Sequence, residues 1–329
     1  MTAVPVNTLL VGYGYWGTRF VHIAGRVPAL RIVGVVDSRA GTEGFTPPPG
    51  LPCERDLARA VADPAVRAVI ITTPATEHLA PAREALRAGK HVFTEKPFAM
   101  TAKETGELLD LAREHDLMLT VDHQYWWSTE IDALERALLE GVIGRVGAVS
   151  VVRAGDGPVR EDVGALWDLG AHDLSILVRL GLLNPDGGAC LRVAECHETP
   201  DGPVAGCVAL TGHTPESVAL RLHVCWVSAR KQRALVISGE LGSLRLEESD
   251  RYLAVWLVRG GRRRLLSRTA KSGRGTPIER ALAEFAEGAL GRPDLSKAVE
   301  AGRVVAVLEQ IEDSARAVTS VVGARRCWL

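Results

Sequence analysis

The sequence predicts an α/β domain with a doubly wound parallel sheet, followed by an α+β domain with a large, open-faced, mostly antiparallel sheet. Three observations predict this fold class. The first part of the 329-residue chain alternates short apolar strands with helices, and a glycine-rich turn joins its first strand to its first helix. The later strands are longer and alternate in polarity. We therefore predict one domain over residues 1–121 and a second over residues 122–329.

The elements of the first domain follow from apolar runs and from signals at helix ends. Arg31–Asp37 is nearly continuous in Ile and Val, as expected for a strand that is buried on both faces. Thr101 and Glu104 form a capping box that begins a helix, and Gly89 ends the helix before it. The predicted elements, in order, are Thr8–Val11, Tyr15–Val27, Arg31–Asp37, Leu57–Ala62, Ala68–Thr73, Glu77–Ala88, His91–Phe93, Thr101–His115 and Met118–Val121.

The second domain is predicted from strands with a period of two. In Ser217–Val227 every second residue is apolar, whereas Arg221 and His223 point the other way, which is typical of a half-buried antiparallel strand. Two helices are predicted, at Glu130–Glu140 and Leu295–Ala317. The other predicted strands are Val146–Val152, Leu191–His197, Val204–Leu210, Ala234–Ser238, Ser243–Glu247, Tyr252–Val258 and Arg262–Arg268.

Composition excludes several classes of partner. The formal net charge is −1, which argues against nucleic-acid and membrane-surface partners because both reward a large basic excess. The sequence has neither a secretory signal nor an apolar run long enough to span a membrane, so we expect a cytoplasmic protein. The six cysteines lack metal-ligand spacing. We expect no metal and reduced thiols at Cys53, Cys190, Cys196, Cys207, Cys225 and Cys327.

The glycine-rich turn is Gly12-Tyr13-Gly14-Tyr15-Trp16-Gly17, a G-x-G-x-x-G pattern between a strand and a helix. Its glycines permit a tight turn and the approach of the backbone to a pyrophosphate, and the helix N-terminus faces the phosphates. Asp37 ends the next strand, where a carboxylate accepts hydrogen bonds from ribose hydroxyls. We therefore predict a Rossmann domain that favours NAD(H). Arg39 leaves NADP(H) as the alternative, because an arginine there could pair with a 2′-phosphate.

Further polar residues follow neighbouring strands. Lys96 lies in Thr94-Glu95-Lys96-Pro97, directly after the strand His91–Phe93, where open α/β sheets bind ligands. An ammonium beside a nicotinamide ring can donate a hydrogen bond to a substrate oxygen as charge develops there. The predicted cofactor-binding residues are Gly12, Gly14, Tyr15, Trp16, Gly17, Asp37, Ser38, Arg39, Thr72, Thr73, Pro74, His78, Glu95 and Lys96.

Asp168 and His172 are the remaining candidates for chemistry. They are four residues apart, so on an α-helix they share a face. A carboxylate near an imidazole orients it and supports its protonation, which suits the imidazole to exchange a proton with a substrate hydroxyl. We therefore predict Lys96, Asp168 and His172 as the catalytic residues.

Together these segments resemble the glucose-fructose oxidoreductase / inositol dehydrogenase / MocA (Gfo/Idh/MocA) family over essentially the whole chain. The resemblance implies a Rossmann domain joined to an open-faced sheet that serves substrate binding and oligomer contacts. By position, it implies that Lys96 is the catalytic lysine and that Asp168 and His172 are a substrate-contacting acid/base pair. Many members read G-H-x-x-R-F where this chain has residues 122–127 without an arginine. The string Trp167–Leu174 is most similar to members of nucleotide-sugar and natural-product sugar pathways.

The predicted function is an NAD(P)-dependent oxidoreductase that interconverts a secondary alcohol and a ketone on a sugar, a cyclitol or a nucleotide-linked sugar, with Lys96 and His172 handling the hydroxyl proton. Two alternatives remain, a non-catalytic dinucleotide-sensing regulator and a reductase of a C=N or C=C bond in a non-sugar metabolite. We expect a homo-oligomer, a dimer or a tetramer, because an open sheet face exposes apolar residues. The predicted substrate-binding residues are Lys96, His123, Tyr125, Trp126, Asp168 and His172.

Overall fold

The computed structural model describes residues 4–187, 190–199, 202–271 and 273–322. The chain packs into two compact units, and each is discontinuous in sequence. The first unit contains the chain up to Gln124 together with Pro277–Val305, and the second contains Tyr125–Thr276 together with the described residues from Ala306 onward. The sequence-based prediction divides the chain once, after residue 121, and does not foresee that residues 277–305 return to the first unit.

The first unit is built on a six-stranded sheet, in the order β3-β2-β1-β4-β5-β6, whose strands are all parallel. This confirms the doubly wound sheet. The capping box is also present, since Thr101 Oγ1 accepts from the Glu104 amide and Glu104 accepts from the Thr101 amide. The elements are β1 (Val6–Val11), α1 (Tyr15–Ala24), β2 (Leu30–Val36), β3 (Cys53–Glu54), α2 (Leu57–Val61), β4 (Ala68–Ile71), α3 (Leu79–Arg87), β5 (His91–Thr94), α4 (Ala102–Glu114) and β6 (Leu119–Val121).

Aromatic contacts explain why residues 277–305 belong to the first unit. The ring of Phe93, in β5, lies 5.7 Å from that of Phe20 and 5.6 Å from that of Phe285, measured between centroids. All three side chains are fully buried. Such pairs add to the burial of apolar area, so the helix that carries Phe285 completes the core around the parallel sheet. Residues 277–305 fall in the two C-terminal helices, Pro277–Leu290 and Ser296–Val322.

The second unit is built on an eight-stranded sheet, in the order β14-β13-β12-β11-β7-β10-β9-β8. Only the pairing of β7 with β10 is parallel within this order. Alternate residues of β10 are buried and exposed, as predicted. The elements are α5 (Thr129–Leu139), β7 (Val146–Asp156), α6 (Ala171–Arg179), β8 (Cys190–Thr199), β9 (Gly202–His213), β10 (Ala219–Cys225), β11 (Val227–Gly239), β12 (Gly242–Glu248), β13 (Tyr252–Arg259) and β14 (Arg262–Ala270); the C-terminal helices Pro277–Leu290 and Ser296–Val322 are α7 and α8.

The expectation that all six cysteines are reduced is wrong for one pair. Cys207 and Cys225 form a disulfide, because the antiparallel register of β9 and β10 places them directly opposite each other. Their separation of 18 residues in sequence does not reveal this pairing. Cys53 and Cys196 carry thiols, and Cys327 lies outside the described residues. No helix in the described part of the chain is both long and apolar enough to cross a membrane.

Candidate active site

The glycine turn lies between β1 and α1, and its three glycines differ in what a side chain at each position would meet. Gly12 has a φ of +88°, and a Cβ there would lie 2.9 Å from the Thr73 amide nitrogen. A Cβ on Gly17 would lie 2.1 Å from the Gly12 carbonyl oxygen. A Cβ on Gly14 meets nothing within 4 Å. Packing therefore requires Gly12 and Gly17, whereas Gly14 faces open space that a bound pyrophosphate can approach.

A cavity of about 770 Å³ opens beside this turn. No side chain caps the N-terminus of α1, so its first amides remain able to donate to an anion. The cavity, the open Gly14 and the helix N-terminus fit a dinucleotide. Predicted cofactor residues that line the cavity are Gly12, Gly14, Asp37, Ser38, Arg39, Thr72, Thr73 and Pro74. The cavity wall also includes Arg55 and Leu57, which the sequence patterns do not single out.

Asp37 and Arg39 form a close ion pair at the edge of this cavity. The Arg39 Nε and Nη2 groups each donate to the Asp37 carboxylate at 2.9 Å, and the Tyr13 amide donates to it at 2.7 Å. The hydrogen bond from the Arg39 side chain is the main reason that the pKa of Asp37 falls to about 2. Asp37 is therefore an anion at neutral pH, and Arg39 is engaged with it.

His78 ties together two loops that follow parallel strands. It is 1% exposed, and its Nδ1 lies 2.5 Å from the Pro97 carbonyl oxygen while its Nε2 lies 2.8 Å from the Thr73 carbonyl oxygen. The loop after β4 and the loop that carries Lys96 are thereby held in one arrangement. Its contacts with these two carbonyl groups give His78 a structural role, which is to hold the two loops together. A direct contact with the cofactor stays a prediction.

Lys96 lies beside two buried titratable residues that follow β6. Thr94 pairs with Val121, and the Asp122 amide donates to the Thr94 carbonyl at 2.8 Å, so Glu95 and Asp122 follow neighbouring parallel strand ends. Burial raises the pKa of Asp122 well above its usual range, Glu95 adds to the rise, and the Lys96 charge opposes it. Burial and then the Lys96 charge lower the pKa of His123 to about 3. His123 is therefore neutral at pH 7, and Asp122 holds its proton more tightly than an exposed aspartic acid does.

Sequence patterns identify Lys96 and His123 but miss Asp122. Its side chain is buried, and its Oδ1 atom has no hydrogen-bond partner among the residues that the structure describes. The available signal is its position directly after a buried strand, the position that Glu95 has on the neighbouring strand.

Asp168 and His172 lie in the second unit, and the predicted single α-helix around them is wrong. Residues Leu166–Gly170 form a π-helical turn, which is followed by α6. Because a π-turn has more residues per turn than an α-helix, the spacing of four does not by itself place the two side chains on one face. The Asp168 carboxylate accepts from the Trp226 indole at 3.1 Å and lies 3.9 Å from the Arg160 guanidinium. Short π-helical segments occur frequently at functional sites.

Gly170 ends this π-turn, and close packing favours a glycine at this position. A Cβ there would lie 3.0 Å from the Leu166 side chain. Trp126 is buried as well, with its indole nitrogen donating to the Ser175 carbonyl at 2.8 Å. A contact of Trp126 with the substrate stays a prediction.

Tyr125, a predicted substrate residue, is buried within a polar cluster of the second unit. Its hydroxyl donates to Glu248 at 2.5 Å and accepts from the Arg153 guanidinium at 3.0 Å. Arg153 also donates twice to Asp173, at 2.7 and 2.9 Å. Sequence reasoning identifies none of Arg153, Asp173 and Glu248, because the partners are distant in sequence and share no local pattern.

The fold and the glycine-turn site define a dinucleotide-binding protein of the Rossmann class. Residues 6–123 match the Gfo/Idh/MocA family model, which is described as "Oxidoreductase family, NAD-binding Rossmann fold". This confirms the resemblance on which the sequence-based prediction rests.

Individual relatives are similar over parts of the chain. The chain is 36% identical over 166 residues to dTDP-3,4-didehydro-2,6-dideoxy-alpha-D-glucose 3-reductase of Streptomyces violaceoruber, covering 48% of this chain and 47% of that one. It is 31% identical over 122 residues to scyllo-inositol 2-dehydrogenase (NADP(+)) of Bacillus subtilis, covering 33% of each. The chain thus spans less than half the length of these curated relatives.

A solved structure is similar over nearly the whole chain. It is a 3-ketoreductase from Actinomadura kijaniata in complex with TDP-benzene and NADP, with a TM-score of 0.80 over 95% of this chain and 98% of that chain. The sequence identity is 19%, so this likeness shows the shared fold alone.

Proposed function

We propose that the protein is an NAD(P)-dependent oxidoreductase that interconverts a secondary alcohol and a ketone on a sugar, a cyclitol or a nucleotide-linked sugar. One observation carries the proposal: a cavity that fits a dinucleotide, and a lysine beside the buried Asp122 and His123, both follow strands of the same parallel sheet. A sensor of dinucleotides needs the cavity but has no need of the lysine. The substrate class is supported by the names of the two relatives, one a deoxysugar reductase and the other an inositol dehydrogenase.

The residues of the first unit divide the work of binding and proton handling. Amides of the glycine turn and of the α1 N-terminus hold the pyrophosphate, and Asp37 accepts from the ribose hydroxyls. A bound nicotinamide supplies the hydride acceptor or donor. Lys96 donates a hydrogen bond to the substrate oxygen, and its effect is strengthened where burial excludes water. We assign the same hydroxyl proton to His172 as a second acid/base group, with Asp168 as its partner.

Cofactor choice follows from the charge of Asp37. Because its pKa is about 2, Asp37 is ionised at neutral pH and repels a 2′-phosphate. The Arg39 side chain, which could otherwise attract that phosphate, is engaged with Asp37 through two hydrogen bonds. We therefore propose that NADH binds more tightly than NADPH. Fluorescence titration of both cofactors tests this, and tenfold tighter binding of NADPH would contradict it.

The experiment for the activity is a substrate panel followed by cofactor absorbance. The panel contains free keto-sugars, inososes and dTDP-linked keto-sugars, and Lys96→Met serves as the control enzyme. We expect the wild-type enzyme to turn over one of these classes of substrate, and we expect Lys96→Met to lose this activity. Cofactor binding without turnover of any member would contradict the proposal and favour a dinucleotide-sensing regulator. Turnover restricted to added imines or enones would favour the non-sugar reductase.

A further inference from the structure

Four buried polar side chains of the second unit form one connected cluster, which we call the Arg153 cluster: Tyr125, Arg153, Asp173 and Glu248. Each comes from a different element, namely the turn before α5, β7, α6 and the end of β12. The charged side chains of Arg153, Asp173 and Glu248 are 7%, 4% and 7% exposed. A buried ion group of this kind costs desolvation free energy, so it is more informative about orientation than about stability.

The hydrogen bonds of the Arg153 cluster leave little freedom to its members. Arg153 contacts both oxygens of Asp173 in a bidentate pair, and its remaining nitrogen donates to the Tyr125 hydroxyl. That hydroxyl donates in turn to Glu248, whose other oxygen accepts from Arg233 at 2.7 Å and from Lys271 at 2.5 Å. Planar, bidentate pairs fix direction as well as distance. The position of Tyr125 is therefore determined from both sides of its hydroxyl.

The cluster reaches His172 by two routes. Asp173, which Arg153 holds, is the next residue in the chain, so the first turn of α6 is fixed directly beside His172. The ring of Tyr125 meets the ring of His172 edge to face, with centroids 5.7 Å apart and an interplanar angle of 78°. A displaced Tyr125 ring would remove the wall against which the imidazole rests.

Burial makes the Tyr125 hydroxyl a poor proton donor to a substrate. Burial raises the pKa of its hydroxyl above the ordinary value for tyrosine. Burial also acts to raise the pKa of Glu248, but the charges of Arg153 and Arg233 and the bond from Lys271 bring it down to about 2. Tyr125 thus keeps its proton, and that proton is directed at Glu248. The hydroxyl is suited to hold the ring in place.

We propose that Tyr125 and Arg153 are positioning residues that set the orientation of the His172 imidazole, through the tyrosine ring and through Asp173. This inference rests on the proposed function, in which His172 exchanges a proton with the substrate. Neither residue contacts the reacting atoms in this scheme. Small displacements of a proton-transfer group have large effects on rate, so loss of the tyrosine hydroxyl should lower turnover although the ring is kept.

A double-mutant cycle tests the inference. We expect Tyr125→Phe to lower kcat by about tenfold with the KM for cofactor unchanged. In a His172→Ala background the same change should alter the residual kcat by less than about twofold, because the ring that it positions is gone. Tyr252→Phe is the matched control, since Tyr252 lies in the same sheet and its ring packs under Arg268. That control should leave kcat unchanged.

A second readout does not depend on turnover. The His172 imidazole signals, assigned by their loss in His172→Ala, should shift in the NMR spectrum of Tyr125→Phe and stay in place in Tyr252→Phe. If Tyr125→Phe folds poorly, Glu248→Gln is used instead, because it keeps the shape of the partner and weakens the same hydroxyl bond. The inference would be overturned if Tyr125→Phe lowered kcat equally in the wild-type and His172→Ala backgrounds, or if the imidazole signals did not shift.

The outcomes also separate this inference from the proposed function. If His172→Ala is impaired and Tyr125→Phe is not, positioning by Tyr125 fails while the role of His172 stands. If His172→Ala turns over like the wild type, both the role of His172 and its positioning fail. If the substrate panel shows no turnover at all, the NMR comparison still decides whether Tyr125 sets the orientation of the imidazole.

Discussion

Buried polar groups are arranged in opposite ways around Lys96 and in the Arg153 cluster. Around Lys96, in the first unit, burial raises the pKa of Asp122 and lowers that of His123, so it disfavours the charged form of both, and one oxygen of Asp122 lacks a partner within the described ranges. In the Arg153 cluster, in the second unit, Arg153, Asp173 and Glu248 form buried ion pairs, and hydrogen bonds join Arg153 and Glu248 to Tyr125. The same physical problem, a polar group removed from water, therefore has two solutions in one chain.

The difference indicates different tasks. A lysine beside buried groups whose charged forms are disfavoured can respond when a ligand brings charge, and perturbed pKa values of this kind are common at residues that perform chemistry. A group whose charges are fully paired resists change, because removing one partner leaves another charge buried and alone. We therefore expect substitutions near Lys96 to affect rate more than stability, and substitutions in the Arg153 cluster to affect both.

The largest effect is expected for Arg153→Met. This change leaves Asp173 and Glu248 buried without their cation, so it should lower the free energy of unfolding by about 3–5 kcal/mol. Arg145→Met is the matched control, because the Arg145–Glu240 pair is mostly exposed and should contribute less than about 1 kcal/mol. Urea unfolding of both variants measures the difference. If both variants lost the same free energy of unfolding, the Arg153 cluster would stabilise the protein no more than a surface ion pair does.

Lys96→Met tests the other region. Cofactor affinity should stay nearly intact while kcat falls by roughly 10²-fold or more, because the ammonium matters most when charge develops on the substrate oxygen. Its effect on the unfolding midpoint should be small compared with that of Arg153→Met. Steady-state kinetics and a cofactor titration on the same preparation measure both quantities. Near-normal turnover would remove Lys96 from the mechanism.

The expected effect of His172→Ala is smaller, about tenfold in kcat/KM at neutral pH, because Lys96 remains able to polarise the substrate oxygen. Because the proposed mechanism makes kcat/KM depend on the protonation of His172, the variant should lose one inflection from its profile of kcat/KM against pH. Profiles for wild type and variant measure this. An unchanged inflection would mean that the proton is handled elsewhere and that the Arg153 cluster orients a residue without a catalytic role.

Local patterns account for most of what could be predicted from the sequence. The glycine turn, the capping box at Thr101 and the alternation along β10 each depend on residues that are close in sequence, and the structure confirms all three. Lys96 was found because its strand and its following turn are adjacent. These features need no knowledge of distant partners.

What could not be predicted depends on contacts between distant residues. The return of residues 277–305 to the first unit depends on Phe285 meeting Phe93. The pairing of Cys207 with Cys225 depends on strand register, and the bond between Tyr125 and Glu248 joins residues 123 positions apart. The π-turn before α6 contains one more residue than an α-helical turn, and the periodicity of the sequence does not show where this extra residue is inserted.

The smallest effect is expected for Asp122→Asn, and its sign depends on pH. The folded protein holds the Asp122 proton more tightly than the unfolded chain does, because burial and Glu95 raise the pKa, opposed only by Lys96. Below the unfolded pKa of about 4 the carboxyl is protonated in both states. Above it the unfolded chain releases the proton, so the wild type loses stability as pH rises towards the folded pKa. Asparagine does not titrate and avoids this loss.

The melting temperature of Asp122→Asn, taken relative to that of the wild type, should therefore rise as the pH increases above about 4. Changes in the protonation of His123 are common to both proteins and cancel in the difference. Asp110→Asn, at an exposed position in α4, is the control. The difference between its melting temperature and that of the wild type should be nearly constant with pH. A constant difference for Asp122→Asn as well would mean that the folded protein does not hold the Asp122 proton more tightly than the unfolded chain does. The two regions would then no longer differ in how burial acts on their acidic groups.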